Sequence, residues 1–265
     1  MLRPRIIPCL LIHKGGLVKT KAFKDPRYVG DPINAVRIFN EKEADELMVL
    51  DIDATANKVE PDFALIEKLA AECRMPICYG GGVTTAAQAT RLVDMGVEKV
   101  AVNAAAFADP SLISRMAEAV GQQSVVAVID VRRRTGFLAK GYQVATRNGS
   151  VRHDIAPDAL AERYQAAGAG EIVVNDVDRD GLLQGYDLVL AEQIRRSVNL
   201  PITFLGGAGS LADLSALIRH LGVVGAAAGS LFVFKGKYQA VLINYPTPEQ
   251  KMQLCTSSMQ SQAGP

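Results

Sequence analysis

Short apolar runs alternate along the chain with longer stretches whose apolar residues recur every three or four positions. These are the signatures of buried strands and of helices with one core-facing stripe. The first run, Arg5 to Ile12, predicts a strand. Asp31 then stands where a helix N-cap belongs, with Pro32 in the first turn, and the spacing predicts a helix over Pro32 to Glu43. The alternation continues with strand Glu46 to Asp51, helix Asp62 to Cys73, strand Met75 to Tyr79, helix Thr85 to Met95, strand Lys99 to Asn103 and helix Pro110 to Val120. It restarts with strand Ser124 to Asp130, helix Pro157 to Ala167, strand Glu171 to Asn175 and helix Leu188 to Val198. The run Leu200 to Thr203, the helical spacing from Ala212 to Ile218 and strand Val223 to Ala227 complete the pattern.

Three stretches break it. His13 to Asp31 is polar and rich in Gly and Lys, too long for a plain connector, and reads as a lid over a site or as a solvated surface loop. Arg132 to Asp154 reads as an inserted loop or hairpin, because Phe137-Leu138-Ala139 and Tyr142 to Ala145 flank Gly141 and Asn148-Gly149 is a turn signal. Tyr238 to Tyr245 fits either a last helix or a short strand, and Pro, Gln, Ser and Thr dominate from Pro246 on. Residues 246–265 are expected to form a tail, disordered from about Thr256.

The two halves echo one another at an offset of about 125 residues. Gly80-Gly81-Gly82 answers to Gly206-Gly207-Ala208-Gly209, Asp51-Ile52-Asp53 to Asp176-Val177-Asp178, and Asn103 to Phe107 to Ala228 to Phe232. Eight strands alternating with helices in two similar halves predict an α/β fold, a (β/α)₈ TIM barrel of residues 1–245 built from half-barrels of about 1–121 and 122–245. An open doubly wound sheet would leave the repeat unexplained. In such a barrel the loops after the strands carry function. Glycine turns leading from a strand into a helix start let backbone N–H groups approach an anion, so Gly82 and Asn103 on one rim, with Gly207, Gly229 and Ser230 on the other, predict two phosphate sites.

Composition narrows the ligand. The 265 residues carry a net charge of +1 and 49% hydrophobic residues, with no long basic run and no basic-aromatic interleaving, which gives no electrostatic reason to expect nucleic acid. No apolar run approaches a membrane span, and Met1-Leu2-Arg3-Pro4 leads into a strand without a signal-peptide pattern. Cys9, Cys73, Cys78 and Cys255 lack metal-ligand spacing and read as reduced thiols of a cytoplasmic protein, and His13, His153 and His220 are scattered. No metal is expected, and no nicotinamide or flavin fingerprint implies a bound cofactor.

The chemistry concentrates at strand ends. Asp130 follows the apolar run of the fifth strand, where a barrel presents catalytic groups, and can serve as a general acid or base, as a helix cap, or as a partner of Arg132 to Arg134. Asp51, Asp176, Asp178 and Asp180 also sit at strand ends, though Asp178-Arg179-Asp180-Gly181 could be held by its own ion pairs. Aligning the fifth strand with the first places Leu11 opposite Asp130, so the halves do not supply a symmetric carboxylate pair.

Taken together, Arg5 to Leu10, Asp45-Glu46-Leu47, Gly80-Gly81-Gly82, Lys99-Val100, Asp130, Gly170-Glu171-Ile172, Asp178 to Gly181, Gly185-Tyr186-Asp187, Gly206 to Gly209 and Ser230 resemble the cyclase subunit of imidazole glycerol phosphate synthase over roughly residues 1–235. The resemblance implies a barrel that binds a bis-phosphorylated ribulosyl precursor and converts it with ammonia to imidazole glycerol phosphate and AICAR. It implies that ammonia comes from a glutaminase subunit docked on the strand N-terminal face, through a charged gate matching Arg5, Glu46, Lys99 and Glu171. Lys19 matches the family's mobile loop, Asp178 falls in its substrate-binding motif, and Gly82, Asn103, Gly181, Gly207, Gly229 and Ser230 match its phosphate contacts.

The chain departs from the family at Leu11, where the second catalytic aspartate belongs, and at Ala104, which replaces a hydroxyl residue at a phosphate rim. Together with the segments His13 to Thr20, Leu182-Leu183-Gln184 and Gly229 to Lys237, these departures resemble a paralogous branch that works with a glutaminase and a third, sugar-modifying enzyme in surface-polysaccharide assembly. Three readings follow: an ammonia-using barrel diverged toward sugar amidation, a working histidine-pathway cyclase, and a non-catalytic ammonia conduit and scaffold.

Overall fold

The computed structural model describes residues 3–136 and 140–259, with side chains as far as Leu254. Strand β1 (Arg5–His13) sets the pattern of the whole sheet. Its side chains at Ile7, Cys9 and Leu11 join an inner apolar cluster with Met48, Cys78, Val128 and Leu205, while Ile6, Leu10 and Ile12 join the larger cluster under the helices. A strand buried on both faces has no solvent side, which is why the parallel strands read as near-continuous apolar runs.

After β1 the chain turns back as an antiparallel hairpin, β2 (Gly16–Lys21) and β3 (Lys24–Gly30), before α1 (Pro32–Glu41) begins at its Asp31 cap. Then follow β4 (Leu47–Asp51), a short α2 (Ala54–Asn57), α3 (Phe63–Glu72), β5 (Ile77–Gly80), α4 (Ala86–Asp94), β6 (Lys99–Val102), a short α5 (Ala104–Ala108) and α6 (Ser111–Val120). The second half runs β7 (Val125–Arg133), a hairpin of β8 (Tyr142–Thr146) and β9 (Val151–His153), α7 (Pro157–Ala166), β10 (Glu171–Asp176), α8 (Leu188–Ser197), β11 (Ile202–Leu205), α9 (Leu211–Leu221), β12 (Gly225–Ala228) and a short α10 (Ser230–Val233). The parallel strands pair in the order β1-β4-β5-β6-β7-β10-β11-β12, and β12 returns to β1, so the sheet closes. Eight parallel strands ringed by helices form the expected (β/α)₈ barrel.

Two expectations change and one open choice is decided. The His13 to Asp31 stretch is not a solvated loop: β2 pairs with β1, and Lys19 and Thr20 are only 5% and 6% exposed. Of the two alternatives for Tyr238 to Tyr245, the short strand is the one found: Phe234–Lys235 (β13) and Ala240–Val241 (β14) make a small hairpin, and Tyr245 turns inward, its hydroxyl donating to the Ile6 carbonyl at 2.8 Å.

The eighth outer helix comes from the stretch read as a tail. It is α11 (Pro248–Met259), which packs on α9 and buries Leu254, while Lys251 Nζ bonds Asp45 at 3.0 Å. Its polar sequence concealed it, because its anchors among the described side chains, which include Leu254 and Lys251, do not form a periodic apolar stripe. The expectation of disorder for 260–265 and the flanking role of Phe137-Leu138-Ala139 lie outside the described residues, as does the side chain of Cys255. Arg132 to Asp154 is the expected insertion: β7 runs on to pair with β8, and the turn falls at Asn148-Gly149. Among the described residues no helix is long and apolar enough to cross a membrane.

Candidate active site

Strand starts define the barrel floor. Arg5, Glu46, Lys99 and Glu171 stand at or just before the first residues of β1, β4, β6 and β10 and point inward. Arg5 pairs with Glu46 and, at 2.7 Å, with Glu171, while Lys99 bonds Glu46 at 2.9 Å and Glu171 at 2.8 Å. Thr203 donates its hydroxyl to Glu171 at 2.6 Å. Two cations and two anions thus close a ring with no charge left over, the condition under which buried ions are tolerated. Burial alone would raise the Glu171 carboxyl, but Arg5 and Lys99 outweigh it and hold it below its ordinary range. The four residues that the sequence singled out as a gate meet in one place.

Above the ring the inward wall is apolar and in part small: Cys9, Met48, Cys78, Ala101, Val126 and Val173. Cys9 and Cys78 are buried free thiols, and burial pushes Cys9 up to about 11. They are wall, not chemistry.

At the upper end of this wall lies Asp130, 7% exposed, on β7. The flanking strands are β6 and β10, and each contributes an asparagine: Asn103 Nδ2 donates to Asp130 Oδ2 at 2.9 Å, and Asn175, the register partner of Asp130 on β10, favours the charged carboxylate from the other side. Desolvation dominates, and the two amides together with Arg132 only partly oppose it, so the carboxyl is raised to about 7. An acid poised there can give or take a proton near neutrality. The readings of Asp130 as a helix cap or as an ion-pair partner of Arg132 to Arg134 are not the arrangement found. Arg133 pairs with Asp187 and Arg134 with Asp154, while Arg132 lies 3.6 Å from Asp178. Leu11, at the corresponding end of β1, faces the mouth as part of the inner apolar cluster with Val18, Val128 and Leu205.

Glycine turns and helix starts shape the two rims, with a refinement that the sequence did not reveal. Both long helices that follow the glycine turns spend part of their N-terminal donors on their own capping boxes. In α4, Gln88 Oε1 accepts from Thr84 and Thr85 N–H while Thr85 caps Gln88; in α9, Asp213 accepts from Gly209 and Ser210 N–H while Ser210 caps Asp213. The short helices α5 and α10, which start beside Asn103 and Gly229, have no side-chain cap. Donors for an anion therefore lie on the turns Gly81-Gly82 and Gly206 to Ala208 and at the starts of α5 and α10, in two matching sets. Gly82 and Gly207 adopt φ of 72° and 106°, and a Cβ on Gly207 would collide with the Gly185 carbonyl, so both turns require glycine.

The remaining predicted residues divide. Lys19 reaches over the second rim: its ammonium donates to the Cys9 carbonyl and lies against Gly229, where an added Cβ would stand 2.6 Å from Nζ. Burial depresses this lysine, and Cys9 and Asp180 only partly restore it. Gly181 backs directly onto the Thr20 carbonyl, and Asp180 accepts from Thr20 Oγ1 at 2.6 Å, so this segment clasps the β2–β3 hairpin instead of facing the mouth. Asp178 is likewise occupied, accepting the Arg133 N–H at 2.8 Å. Arg179 pairs with Asp176 and Asp187, not with its neighbours in sequence. Ser230 opens α10 at the rim. Asn175 was read only as the last residue of a strand; its role beside Asp130 was detectable as a polar residue two inward positions above Glu171 and Val173.

The chain is thus of the class of closed (β/α)₈ barrels, with a neutral ion ring on its floor, a buried acid raised to about 7 at the end of β7 and matching glycine turns on two rims. The chain belongs to the histidine biosynthesis protein family, whose model matches residues 5–239. A chain of Leptospira interrogans provisionally named imidazole glycerol phosphate synthase subunit HisF is 53% identical over 251 residues, 95% of this chain and 98% of that one. A Vibrio vulnificus (strain YJ016) chain, provisionally named subunit hisF3, is 51% identical over 95% and 96%. The imidazole glycerol phosphate synthase subunit HisF of Lactiplantibacillus plantarum is 39% identical over 88% and 92%. The homology is to HisF subunits along nearly the whole chain.

Proposed function

We propose that this chain is a working synthase subunit of imidazole glycerol phosphate synthase type. Ammonia released by a glutaminase docked on the barrel floor passes the Arg5, Glu46, Lys99 and Glu171 ring and reaches a bis-phosphorylated ribulosyl precursor in the mouth. Asp130 moves the protons of cyclisation, the Gly82 turn and the backbone at the α5 start beside Asn103 hold one phosphate, and the Gly207, Gly229 and Ser230 rim holds the other. Lys19 covers the second phosphate. The observation that carries this reading is the alignment of the floor ring with an acid raised to about 7, with Ala101, Val128 and Val173 between them. A channel for a small neutral nucleophile needs an apolar wall and a proton acceptor at its end. The identity to named HisF subunits supports the same reading.

One observation favours a second reading. Leu11 leaves Asp130 as the single carboxylate pointing into the mouth from the β1 and β7 ends. General acid and base groups each contribute on the order of 10² to 10⁴ in rate, and a site with one acid suits amidation of a sugar acceptor or a conduit role. The deciding experiment is ammonia-dependent turnover of the bis-phosphate precursor by wild type and Leu11→Asp. Turnover by wild type at rates typical of enzymes, about 1–10³ s⁻¹, supports the cyclase. Silence in wild type with activity gained in Leu11→Asp sinks it and directs the search to a sugar acceptor. Docking is tested with a HisH-type glutaminase: no binding, and glutamine-dependent turnover unaltered by Lys99→Ala, would refute the channel.

A further inference from the structure

Asn175 is 5% exposed, and its side chain uses one end only. The side chain stands beside Asp130 and favours its charged form, while the carbonyl oxygen Oδ1 is buried without a hydrogen-bond partner. Burying such an oxygen unpaired costs free energy, and its natural complement is a group that carries an N–H or O–H. Among the described residues four other buried side-chain atoms lack partners, on Arg132, Asp158, Tyr164 and Asp176. Asp176 follows the inward-facing Asn175 and so faces outward, and Asp158 and Tyr164 lie on α7; Arg132 shares the Asp130 face of β7, but its orphan atom is the donor Nε, and its guanidinium lies 3.6 Å from Asp178. Among these, Asn175 Oδ1 is the orphan acceptor on an inward strand face.

Its position on β10 narrows the donor. Glu171, Val173 and Asn175 succeed one another on the inward face of a single strand, and Asn103 stands in the same relation to Lys99 and Ala101 on β6. At roughly 3.3 Å per residue, Asn175 lies about 13 Å above the floor ring. Anything crossing from the ring passes Val173, Ala101 and Val128, which offer no side-chain acceptor. The Asn103 amide is already turned to Asp130 at 2.9 Å.

We propose that Asn175 receives the ammonia nitrogen at the top of the barrel, accepting one of its N–H groups on Oδ1 while the amide end holds Asp130 beside it. The proposal rests on the ammonia-using reading above. It makes Asn175 a positioning residue twice over: it orients the nucleophile, and it fixes the carboxylate that takes the proton.

The test uses the full chain with the Asn175 side-chain amide observed by NMR. Titration with ammonium chloride at mildly alkaline pH, against sodium chloride as control, is expected to give a saturable shift of the Asn175 amide signals with ammonium only. Asn175→Val should abolish the equivalent response at Asp130, and Asn175→Thr, which keeps an acceptor, should restore part of it. In ammonia-dependent turnover, Asn175→Val should raise the KM for ammonia about tenfold or more, the loss of one hydrogen bond to a reacting group. Equal shifts in both salts, or a KM for ammonia unchanged in Asn175→Val, overturn the proposal. A saturable ammonium shift in a chain that does not turn over the precursor upholds it while the cyclase reading fails, so the two are read separately.

Discussion

At the mouth of the barrel the two halves place equivalent pairs in opposite chemistry. On β1 and β4 the register partners are Leu11 and Leu50; on β10 and β7 they are Asn175 and Asp130. The order of barrel strands and outer helices repeats in both halves, down to capping boxes at Thr85 with Gln88 and at Ser210 with Asp213. The side chains do not. The repeated backbone builds two rims for anions, whereas the proton chemistry is one-sided, gathered on β6, β7 and β10. A hydrophobic half-mouth also contributes to that chemistry, because the apolar side keeps water from Asp130 and so raises its affinity for a proton.

A second contrast runs from floor to mouth. Glu171 and Asp130 are buried carboxylates on adjacent strands, yet one is held down and the other pushed up. Glu171 faces two cations; Asp130 faces two neutral amides, with Arg132 the opposing charge and Asp180 a like one. Partner charge, not depth, sets the direction.

The largest expected effect is on turnover. Asp130→Asn should lower ammonia-dependent turnover by on the order of 10²- to 10⁴-fold, with the fold intact by circular dichroism. A loss under about tenfold would mean that the lone acid is not the proton-transfer group.

Next comes the floor. Glu171→Gln leaves Arg5 and Lys99 sharing one anion, and breaking a buried pair costs about 3–5 kcal/mol, which denaturant unfolding near neutrality will read. Because the folded carboxyl lies below its unfolded value of roughly 4.3, this contribution is present above that pH and is lost as pH falls through the folded value. The gap between wild type and variant should therefore close in acid.

Asp130 carries the opposite sign. Its folded value of about 7 exceeds an unfolded value of roughly 3.9, so its stabilising contribution is complete below that lower pH and disappears as pH rises to 7. Asp130→Asn should be about 2–4 kcal/mol more stable relative to wild type at pH 8 than at pH 4, read from unfolding midpoints at both pH values. An equal difference at the two pH values would place Asp130 in a wetter site.

The smallest effect lies at the clasp. Thr20→Val removes the 2.6 Å bond to Asp180 and should cost about 1 kcal/mol while speeding amide exchange in β2 and β3. Unchanged exchange would show that the strand pairing alone seats the hairpin.

Much of the fold was legible because it is periodic. Strand runs, helix stripes, caps such as Asp31 and the half-barrel echo are local or nearly so. What escaped was structure whose reason is tertiary. The stretch Pro248 to Met259 lacks an apolar stripe and becomes a helix through Leu254 and Lys251 finding α9 and Asp45. Lys19, in a stretch that reads as polar loop, is buried because β2 completes hydrogen bonds along β1.

By itself, then, the sequence determined the barrel, its internal repeat and the odd pairing of Leu11 with Asp130, because each is written in spacing or residue type, while the floor charges stood out only through the family resemblance. Tertiary structure decided what those residues are worth. The four floor charges form one neutral ring, α4 and α9 close capping boxes on their own N-termini, and the Asn103 side chain turns from the rim to Asp130 with Asn175 opposite it. Those outcomes depend on distances between strands that lie up to 166 residues apart in the chain, as Arg5 and Glu171 do, and no local pattern encodes them.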